Sequence, residues 1–172
     1  MPDVIVGGPS GPPADRLVVA PIALHPVGTV LGGRSEAFDD GWDTEQAVIR
    51  LDGHRFGPDA VTGLDGFSHL EVVFHFHLAD PASITTTARR PRGNPDWPEV
   101  GIFAQRGKNR PNRLGVSRCR LLSVEGLDLH VRGLDAIDGT PVLDVKPYMA
   151  EFGPQGPTTQ PAWATELMRA YY

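Results

Sequence analysis

The sequence predicts a mainly β protein, a small antiparallel β-barrel that carries a short C-terminal helix. Two observations support this fold class. Short runs rich in β-branched and aromatic residues alternate with Gly, Pro and Asp turns along most of the 172 residues. A helical spacing of apolar residues occurs only once, at Trp163, Leu167 and Tyr171.

The predicted strands follow one another closely. Residues 17–31 combine β-branched and apolar residues with prolines, which indicates strands at an edge or a bend. Residues 127–135 alternate, with Leu127, Leu129 and Val131 on one face. The other predicted strands are 47–52, 69–78, 101–106, 116–126 and 141–148, of which 69–78 gives the strongest signal.

Three segments are predicted to lie outside the strands. Residues 1–16 are rich in Pro and Gly and predict a disordered leader, so that 17–172 form a single domain. Residues 80–100 have little periodicity and predict a functional or partly mobile loop. Residues 161–172 predict a helix of about three turns, with Pro161 near its start.

Composition indicates an ordinary globular protein, with 40% hydrophobic and 22% charged residues. The sequence contains neither a signal peptide nor an apolar run of the roughly 20 residues that a membrane span requires. We therefore expect a cytoplasmic protein without a membrane partner. The single Cys119 excludes an internal disulfide and a Cys-rich zinc site, and we expect it buried beside Val116 and Leu121.

The charge distribution leaves two interpretations open. A net charge of −5 argues against a protein whose whole surface binds nucleic acid. A local basic patch on an acidic body still binds a phosphate backbone or an anionic substrate. The same residues also suit a solvated loop whose arginines pair with acidic segments elsewhere. They are Arg89, Arg90, Arg92, Arg106, Lys108, Arg110, Arg113, Arg118 and Arg120.

The segment FAQRGKNRPNRLGVS (103–117) is the most informative one. A predicted strand ends at Arg106, a loop stiffened by Pro111 follows, and a second strand begins at Val116. Such a loop offers fixed cations and peptide groups to a carboxylate or a phosphate. A plain charged hairpin has the same composition, so the residues alone do not decide between the two.

The segment LDAIDGTPVLDVKPY (134–148) is the second informative one. Asp138 and Gly139 form a turn signal between two predicted strands. Asp144, Lys146 and Tyr148 alternate and therefore share one face of the second strand. This face either positions a polar substrate or is a salt-bridged strand surface.

Two histidines close the strongest predicted strand. His75 and His77 share one face, opposite Phe74 and Phe76, and a His-x-His pair can supply two metal ligands. No third ligand is identifiable, so we predict no metal site. A His that contacts a ligand and a pair of satisfied strand histidines remain equal alternatives.

Several common catalytic signatures are absent from the sequence. It has no P-loop, no GxGxxG after a strand, no GxSxG and no HExxH. It also lacks the βαβ pattern of a doubly wound nucleotide-binding fold.

Four segments in a fixed order resemble the TrmO family, also called TsaA-like. They are HPVGTV (25–30), GLDGFSHLEVVFHFH (63–77), GIFAQRGKNRPNRLGVS (101–117) and LDAIDGTPVLDVKPY (134–148). The resemblance extends from about residue 21 to about residue 150, and its most specific parts are the paired signatures RPNxxGxS and DGTPVxDxKPY. The chain is identified as a member of this family on these signatures.

The resemblance implies a compact β-barrel that binds S-adenosylmethionine without a Rossmann fold, usually as a homodimer with the cofactor near the subunit interface. It implies the activity of a methyltransferase that modifies N6 of threonylcarbamoyl-adenosine next to the anticodon of tRNA. The same barrel acting on a small molecule or another acceptor, and a non-catalytic S-adenosylmethionine-binding module, are the alternatives.

The resemblance also implies roles for individual residues. The implied cofactor-binding residues are His77, Leu78, Arg106, Asp138, Gly139, Thr140 and Pro141, and we add Asn112 and Leu114 of the RPN loop. We further expect Asp138 or Tyr148 to accept the proton released during transfer, and Arg110 and Lys146 to contact the substrate.

Some positions depart from the family pattern. Gly107 and Lys108 stand where Ser-Pro is usual, and Arg113 and Leu114 stand where Pro-Ile is usual. An early Arg-Gln-Pro element is replaced by residues 33–44, and little sequence follows the KPY motif, where several tRNA-acting members have a further domain. Cofactor binding is still expected, and the methyl acceptor is left open.

Overall fold

Eight strands and one α-helix are found in the computed structural model, which describes residues 20–172. The strands are β1 (Gly28–Leu31), β2 (Gln46–Leu51), β3 (His69–His75), β4 (Ala88–Arg89), β5 (Val100–Gly101), β6 (Leu114–Glu125), β7 (Asp128–Arg132) and β8 (Pro141–Pro147). Six of them close an antiparallel barrel in the order β1-β2-β7-β6-β3-β8, and β4 and β5 pair separately. The predicted fold class is confirmed.

The interior of the barrel is filled by the inward side chains of its strands. Because successive side chains point to opposite faces of a strand, Leu129 and Val131 of β7 are fully buried while their neighbours are partly exposed. Fully burying such a side chain stabilises the fold by roughly 1.5–3 kcal/mol. The other barrel strands contribute Val30, Ile49, Leu70, Val72, Phe74, Cys119, Leu121 and Val142.

Cys119 is buried as predicted, but one of its expected neighbours is not. Cys119 and Leu121 point inward from β6, whereas Val116 points outward and is 39% exposed. The expectation that Val116 packs beside Cys119 was wrong, because three positions along a strand reverse the face.

Strand β3 pairs with both β6 and β8 in the closed barrel. Its register with β6 runs without interruption from His69 opposite Arg120 to His75 opposite Leu114. Its register with β8 shifts between Val73 and Phe74, where β8 carries one extra residue. The barrel closes on the other side of β8 through a short pairing with β1.

Three predicted strands are shorter than expected. Within the predicted segment 17–31, only Gly28–Leu31 is a strand, because the prolines before it cannot donate to a ladder. Residues 17–19 lie outside the described residues. The strand predicted over 69–78 ends at His75, so His75 and His77 do not share a strand face. The strand predicted over 101–106 is replaced by a 3-10 turn at Ile102–Ala104. The predicted leader 1–16 also lies outside the described residues.

The helix α1 (Ala162–Met168) follows Pro161 and is shorter than the predicted three turns. Beyond the helix, backbone bonds join the chain to residues 41 and 42: Gly41 N donates to Ala170 O and Trp42 N donates to Tyr171 O, both at 2.8 Å. The predicted stripe of Trp163, Leu167 and Tyr171 is half-buried.

The segment 80–100 is a structured connection that contains β4 and several 3-10 turns. It is attached to the rest of the chain through side chains. Trp97 Nε1 donates to Glu166 Oε2 of α1 at 2.9 Å, and Arg92 Nη2 pairs with Asp40 Oδ1 at 2.7 Å.

Candidate functional site

One end of the barrel brings His77 next to the turn that contains Gly139. Strand β3 ends at His75 and the chain turns at His77 and Leu78, while the paired strand β8 begins at Pro141. Gly139 has a φ of 77°, and a Cβ atom placed on it would lie 3.9 Å from His77 Nε2. Two predicted site residues, 62 positions apart in sequence, are therefore neighbours.

The turn from Asp138 to Pro141 is fixed by the end of β1. Asp138 Oδ1 accepts from Gly32 N at 2.8 Å. Gly139 N donates to Val30 O at 2.8 Å, and Val30 N donates to the carbonyl of the buried Thr140 at 2.9 Å. Because both sides of the turn are bonded to β1, its peptide groups hold fixed positions.

Cations and histidines surround this end of the barrel. Burial lowers the pKa of His75, and the charges of Arg113 and His77 lower that pKa further. Arg113 has a φ of 51°, and its Nη1 donates to Ala79 O at 3.2 Å. Arg113 was not among the predicted site residues, although it lies in the basic stretch and in the 103–117 segment.

The remaining residues from the 78–114 region are placed around this end in different ways. Leu78 is 70% exposed on the turn that follows β3. Leu114 lies opposite His75 in the β3–β6 pairing and is half-buried, and Asn112 is exposed in the turn before it. Leu78 and Asn112 are accessible to a ligand, while Leu114 is part of the wall.

Arg106 lies away from the His77–Gly139 contact. Its Nη2 donates to Val116 O of β6 at 2.6 Å, and its charge acts on the phenols of Tyr171 and Tyr172. Arg106 is thus attached to the outside of β6, where the chain returns after α1.

A second polar cluster joins the C-terminal segment to the barrel. Tyr171 OH donates to Asp135 Oδ2 at 2.5 Å, and burial raises the pKa of Tyr171. Asp135 Oδ1 is buried without a hydrogen-bond partner in the described part of the chain. This pair was not predicted, because the spacing of the two residues in sequence gives no signal of contact.

The two candidate proton acceptors lie at opposite ends of β8. Asp138 precedes this seven-residue strand and Tyr148 follows it, so about 23 Å of extended chain separate them. The ring of Tyr148 lies 4.9 Å from the Arg118 guanidinium, and its N donates to His69 O at 2.9 Å. Within one chain, only Asp138 is next to the His77–Gly139 contact.

The two predicted substrate-contacting residues have partners of their own. Arg110 Nη1 donates to Gln105 O at 3.2 Å. Lys146 Nζ pairs with Asp144, which shares its face of β8 as predicted. At Lys146 the structure thus shows the salt-bridged strand surface that the sequence left open.

Some arginines of the basic stretch also pair with acidic residues. Arg92 lies 3.6 Å from Asp39 and 2.7 Å from Asp40, and Arg118 lies 3.0 Å from Glu71. The stretch is therefore divided between paired arginines and arginines that face solvent.

Two kinds of feature are absent from residues 20–172. No helix there has the length and apolarity to cross a membrane. No group of three or more His, Cys, Asp or Glu side chains in that range is arranged to hold a metal ion.

Comparison with known proteins assigns the chain to a family. Residues 40–153 match the tRNA-methyltransferase O N-terminal domain. The chain belongs to this family. A probable S-adenosyl-L-methionine-binding protein of Methanothermobacter thermautotrophicus is 37% identical over 139 residues, which cover 78% of this chain and 96% of that protein.

Two further relatives carry the name tRNA (adenine(37)-N6)-methyltransferase. The Escherichia coli K12 protein is 42% identical over 97 residues (53% of this chain, 40% of that protein). The Homo sapiens protein is 40% identical over 93 residues (54% of this chain, 21% of that protein). The chain thus matches less than half of the length of either enzyme.

Solved structures support the same assignment. A crystal structure of TrmO superimposes with a TM-score of 0.68 at 28% identity, covering 82% of this chain and 64% of that chain. A structure of TrmO from Pseudomonas aeruginosa gives a TM-score of 0.65 at 27% identity, covering 81% of this chain and 62% of that chain.

Proposed function

We propose that this chain binds S-adenosylmethionine and transfers its methyl group to N6 of threonylcarbamoyl-adenosine next to the anticodon of tRNA. The observation that carries the proposal is the proximity of His77 to the turn at Gly139, where a Cβ atom would lie 3.9 Å from His77 Nε2. The family resemblance implies cofactor contacts at these same positions. The names of the E. coli and human relatives supply the acceptor, the adenine at position 37 of tRNA.

The residues at this end of the barrel fit such a cofactor. S-adenosylmethionine combines a sulfonium, an ammonium, a carboxylate and an adenine ring. Asp138 offers a carboxylate to the cationic groups, and the exposed Leu78 offers an apolar surface to the ring. Gly139 leaves room beside the His77 imidazole that a side chain would narrow. The Arg106 side chain, whose Nη2 donates to Val116 O of β6, would have to turn towards the carboxylate of the cofactor.

The chemistry assigned to the chain is mainly positioning. When bound, S-adenosylmethionine supplies an electrophilic methyl group on a sulfonium. The 138–141 turn, which is bonded to β1, would hold the cofactor in line with the acceptor, and such positioning lowers a barrier by several kcal/mol or more, up to about 11. The N6 proton would pass to a carboxylate oxygen of Asp138, whose Oδ1 is fixed by Gly32 N.

We also propose that the protein is a homodimer in the cytoplasm. Phe103 and Leu78 are 81% and 70% exposed in a single chain, and burying these apolar side chains against a second copy would stabilise a dimer. Light scattering after size exclusion should give twice the monomer mass of 18.6 kDa. A monomer at micromolar concentration would exclude this part of the proposal.

A second candidate function is a binding module that holds S-adenosylmethionine without turnover. It is favoured by the Methanothermobacter relative, which is named a probable S-adenosyl-L-methionine-binding protein and is matched over 96% of its length. A barrel that methylates a small molecule or another acceptor is the third, and the net charge of −5 favours it over a tRNA enzyme.

Cofactor binding is tested by calorimetric titration with S-adenosylmethionine. Arg106→Ala should weaken binding by about tenfold or more, since a charged hydrogen bond contributes about 1.5–3 kcal/mol. Arg55→Ala is the matched control, because Arg55 is also exposed and also donates to one carbonyl, Pro26 O, at 2.7 Å. Absence of binding by the wild type would overturn all three candidate functions.

The acceptor is tested by nucleoside analysis of tRNA from cells with and without the gene. Loss of methylated threonylcarbamoyl-adenosine in the deletion strain, restored by the wild type, is the expected result. An unchanged content would reject the tRNA substrate and favour the binding module or the other acceptor. Transfer of labelled methyl to small-molecule extracts then separates these two.

A further inference from the structure

The outer wall of the barrel carries arginines on two adjacent strands and a histidine on the third. His69 of β3 lies opposite Arg120 of β6, and Arg120 lies opposite Arg132 of β7. Arg118 is two residues from Arg120 and therefore points to the same side of β6. We call Arg118, Arg120 and Arg132 the cationic row, and His69 lines the same surface cleft beside them.

Acidic partners neutralise only part of the cationic row. Arg118 Nε lies 3.0 Å from Glu71 Oε2, and Arg132 Nη2 lies 3.1 Å from Asp43 Oδ2. Arg120 is exposed and makes no ion pair or side-chain hydrogen bond within the described part of the chain. Like charges directly opposite each other destabilise a sheet, so the arrangement of Arg120 and Arg132 suits an anion that contacts both.

The cationic row borders a surface cleft of about 270 Å³. This volume is several times the roughly 30 Å³ that one water molecule occupies in the liquid. Tyr172 also lines the cleft, and its side chain is 53% exposed. The remaining lining residues are Asp43 and Gly133.

We infer that this cleft binds the sugar-phosphate backbone of RNA. Guanidinium groups bind phosphate oxygens through charged, often paired hydrogen bonds, and an exposed tyrosine ring offers a stacking surface to an unpaired base. A free phosphate needs only the first of these features, so the presence of Tyr172 favours RNA. The choice of RNA rests on the proposed function.

The cationic row lies apart from the His77–Gly139 end of the barrel. His69 begins β3, whereas His77 follows the other end of that strand, about 26 Å along an extended chain. Cationic side chains at this distance do not contact the reacting atoms. They would fix the position of the RNA on the barrel without taking part in the chemistry.

The test measures binding of a tRNA transcript by wild type, Arg120→Gln and the control Arg50→Gln, at several salt concentrations. Arg50 is also exposed on a barrel strand but pairs with Asp128 at 2.6 Å, so both variants remove one surface charge. Arg120→Gln should weaken binding by about tenfold and reduce the slope of log K against log salt by about one. Arg120→Lys should retain most of the slope.

Equal affinities and slopes for Arg120→Gln and Arg50→Gln would overturn the inference, and so would a wild type that binds no RNA. A titration with inorganic phosphate distinguishes binding of free phosphate from binding of RNA. Phosphate binding that depends on Arg120, without RNA binding that does, would also overturn it.

Methyl transfer by the same preparations distinguishes this inference from the proposed function. A wild type that binds RNA through Arg120 but methylates no tRNA would reject the proposed function alone. A wild type that methylates tRNA while Arg120→Gln keeps the full salt slope would reject only the RNA cleft.

Discussion

Gly139 combines a backbone requirement with a spatial one. Its φ of 77° lies in the left-handed region, and its Cα faces the His77 ring. Gly126 has a similar φ of 62°, but no atom lies within 4 Å of the position that a Cβ would take there, so it shares only the first requirement. The two glycines allow the backbone effect to be separated from the effect on the site.

We predict that Gly139→Ala and Gly126→Ala each lower the free energy of unfolding by about 1–2 kcal/mol, the cost of a left-handed side chain. Only Gly139→Ala should also weaken S-adenosylmethionine binding, because only its new methyl group approaches His77. Urea unfolding and calorimetry measure the two effects. Equal cofactor affinities in both variants would show that the cofactor lies elsewhere.

The thiol of Cys119 is protected by its burial. Burial raises its pKa to about 12, and Asp135 adds to the increase. Since only the thiolate is a strong nucleophile, iodoacetamide at pH 8 should leave the native protein unmodified. Mass spectrometry should detect one added group only after denaturation. Rapid labelling of the native protein would contradict the buried position of this side chain.

His75 should make the fold sensitive to acid. Burial, Arg113 and His77 hold its pKa below the ordinary 6.5, so the folded state favours the neutral ring. The stabilisation is complete above pH 6.5 and is lost as the pH falls towards the lower folded pKa, because the unfolded chain is protonated first. Urea unfolding at pH 7.5 and 5.5 should show a smaller pH difference for His75→Gln than for the wild type. If the variant and the wild type show the same difference in stability between the two pH values, groups other than His75 cause it.

At the scale of elements, the β3–β6 pair depends on a close packing contact. Gly115 lies opposite Phe74, and a Cβ atom on Gly115 would overlap with the Phe74 ring. The ring is buried in the barrel and cannot swing into solvent. The absence of a side chain at Gly115 therefore leaves room for the Phe74 ring.

Gly115→Ala should lower the free energy of unfolding by about 1–3 kcal/mol, as overpacked cores do. Gly101→Ala is the control, since Gly101 has a φ of −58° and open space around its Cβ position. Thermal unfolding should show a clear decrease for the first variant and little change for the second. A tolerated Gly115→Ala would mean that β3 and β6 separate easily.

The elements that could be predicted from sequence are those whose pattern is local. The alternation in β7 and the β-branched run in β3 predicted both strands, because burial on one face imposes that pattern. The 101–106 prediction failed because the Gln105 amide donates to Arg89 O and Val100 O, which fixes a turn there. The segment after α1 is attached through bonds to residues 41 and 42, which no local pattern reveals.

The candidate site was predictable only through the family resemblance. Its residues lie in separate segments, and the His77–Gly139 contact results from the pairing of β3 with β8. Alternation assigns each strand a face but gives no strand order. Arg132 of the cationic row was not predicted either, because the register shift between Leu121 and Ser123 in the β6–β7 hairpin, which sets Arg132 opposite Arg120, is not visible in the alternation of either strand.

At the scale of the whole molecule, the barrel closes through its shortest pairing. β1 and β8 are joined in register only at Gly28–Val142 and Thr29–Pro141, and Pro141 has no N–H to donate. In contrast, the pairing between β3 and β6 covers the full length of β3. Local opening should therefore begin between β1 and β8.

Hydrogen exchange tests this order. Amides of Val27, Val30 and Gly139 should exchange faster than those of β3 and β6, because fewer neighbouring bonds must break to expose them. Bound S-adenosylmethionine should slow Gly139 and Val30 most, if the 138–141 turn contacts it. Equal exchange rates over the whole barrel would show that the β1–β8 pairing opens only with global unfolding.

The extra residue in β8 gives the chain a spare position next to the 138–141 turn. Val142 lies opposite Phe74 and Asp144 lies opposite Val73, so Leu143 has no partner of its own in β3. Deleting Leu143 would leave every other side chain of β8 on its present face. Deleting Val145 would instead turn Asp144 into the core. Single-residue deletions are thus tolerable at one point of this strand, and there the length of the connection to the turn is free to vary.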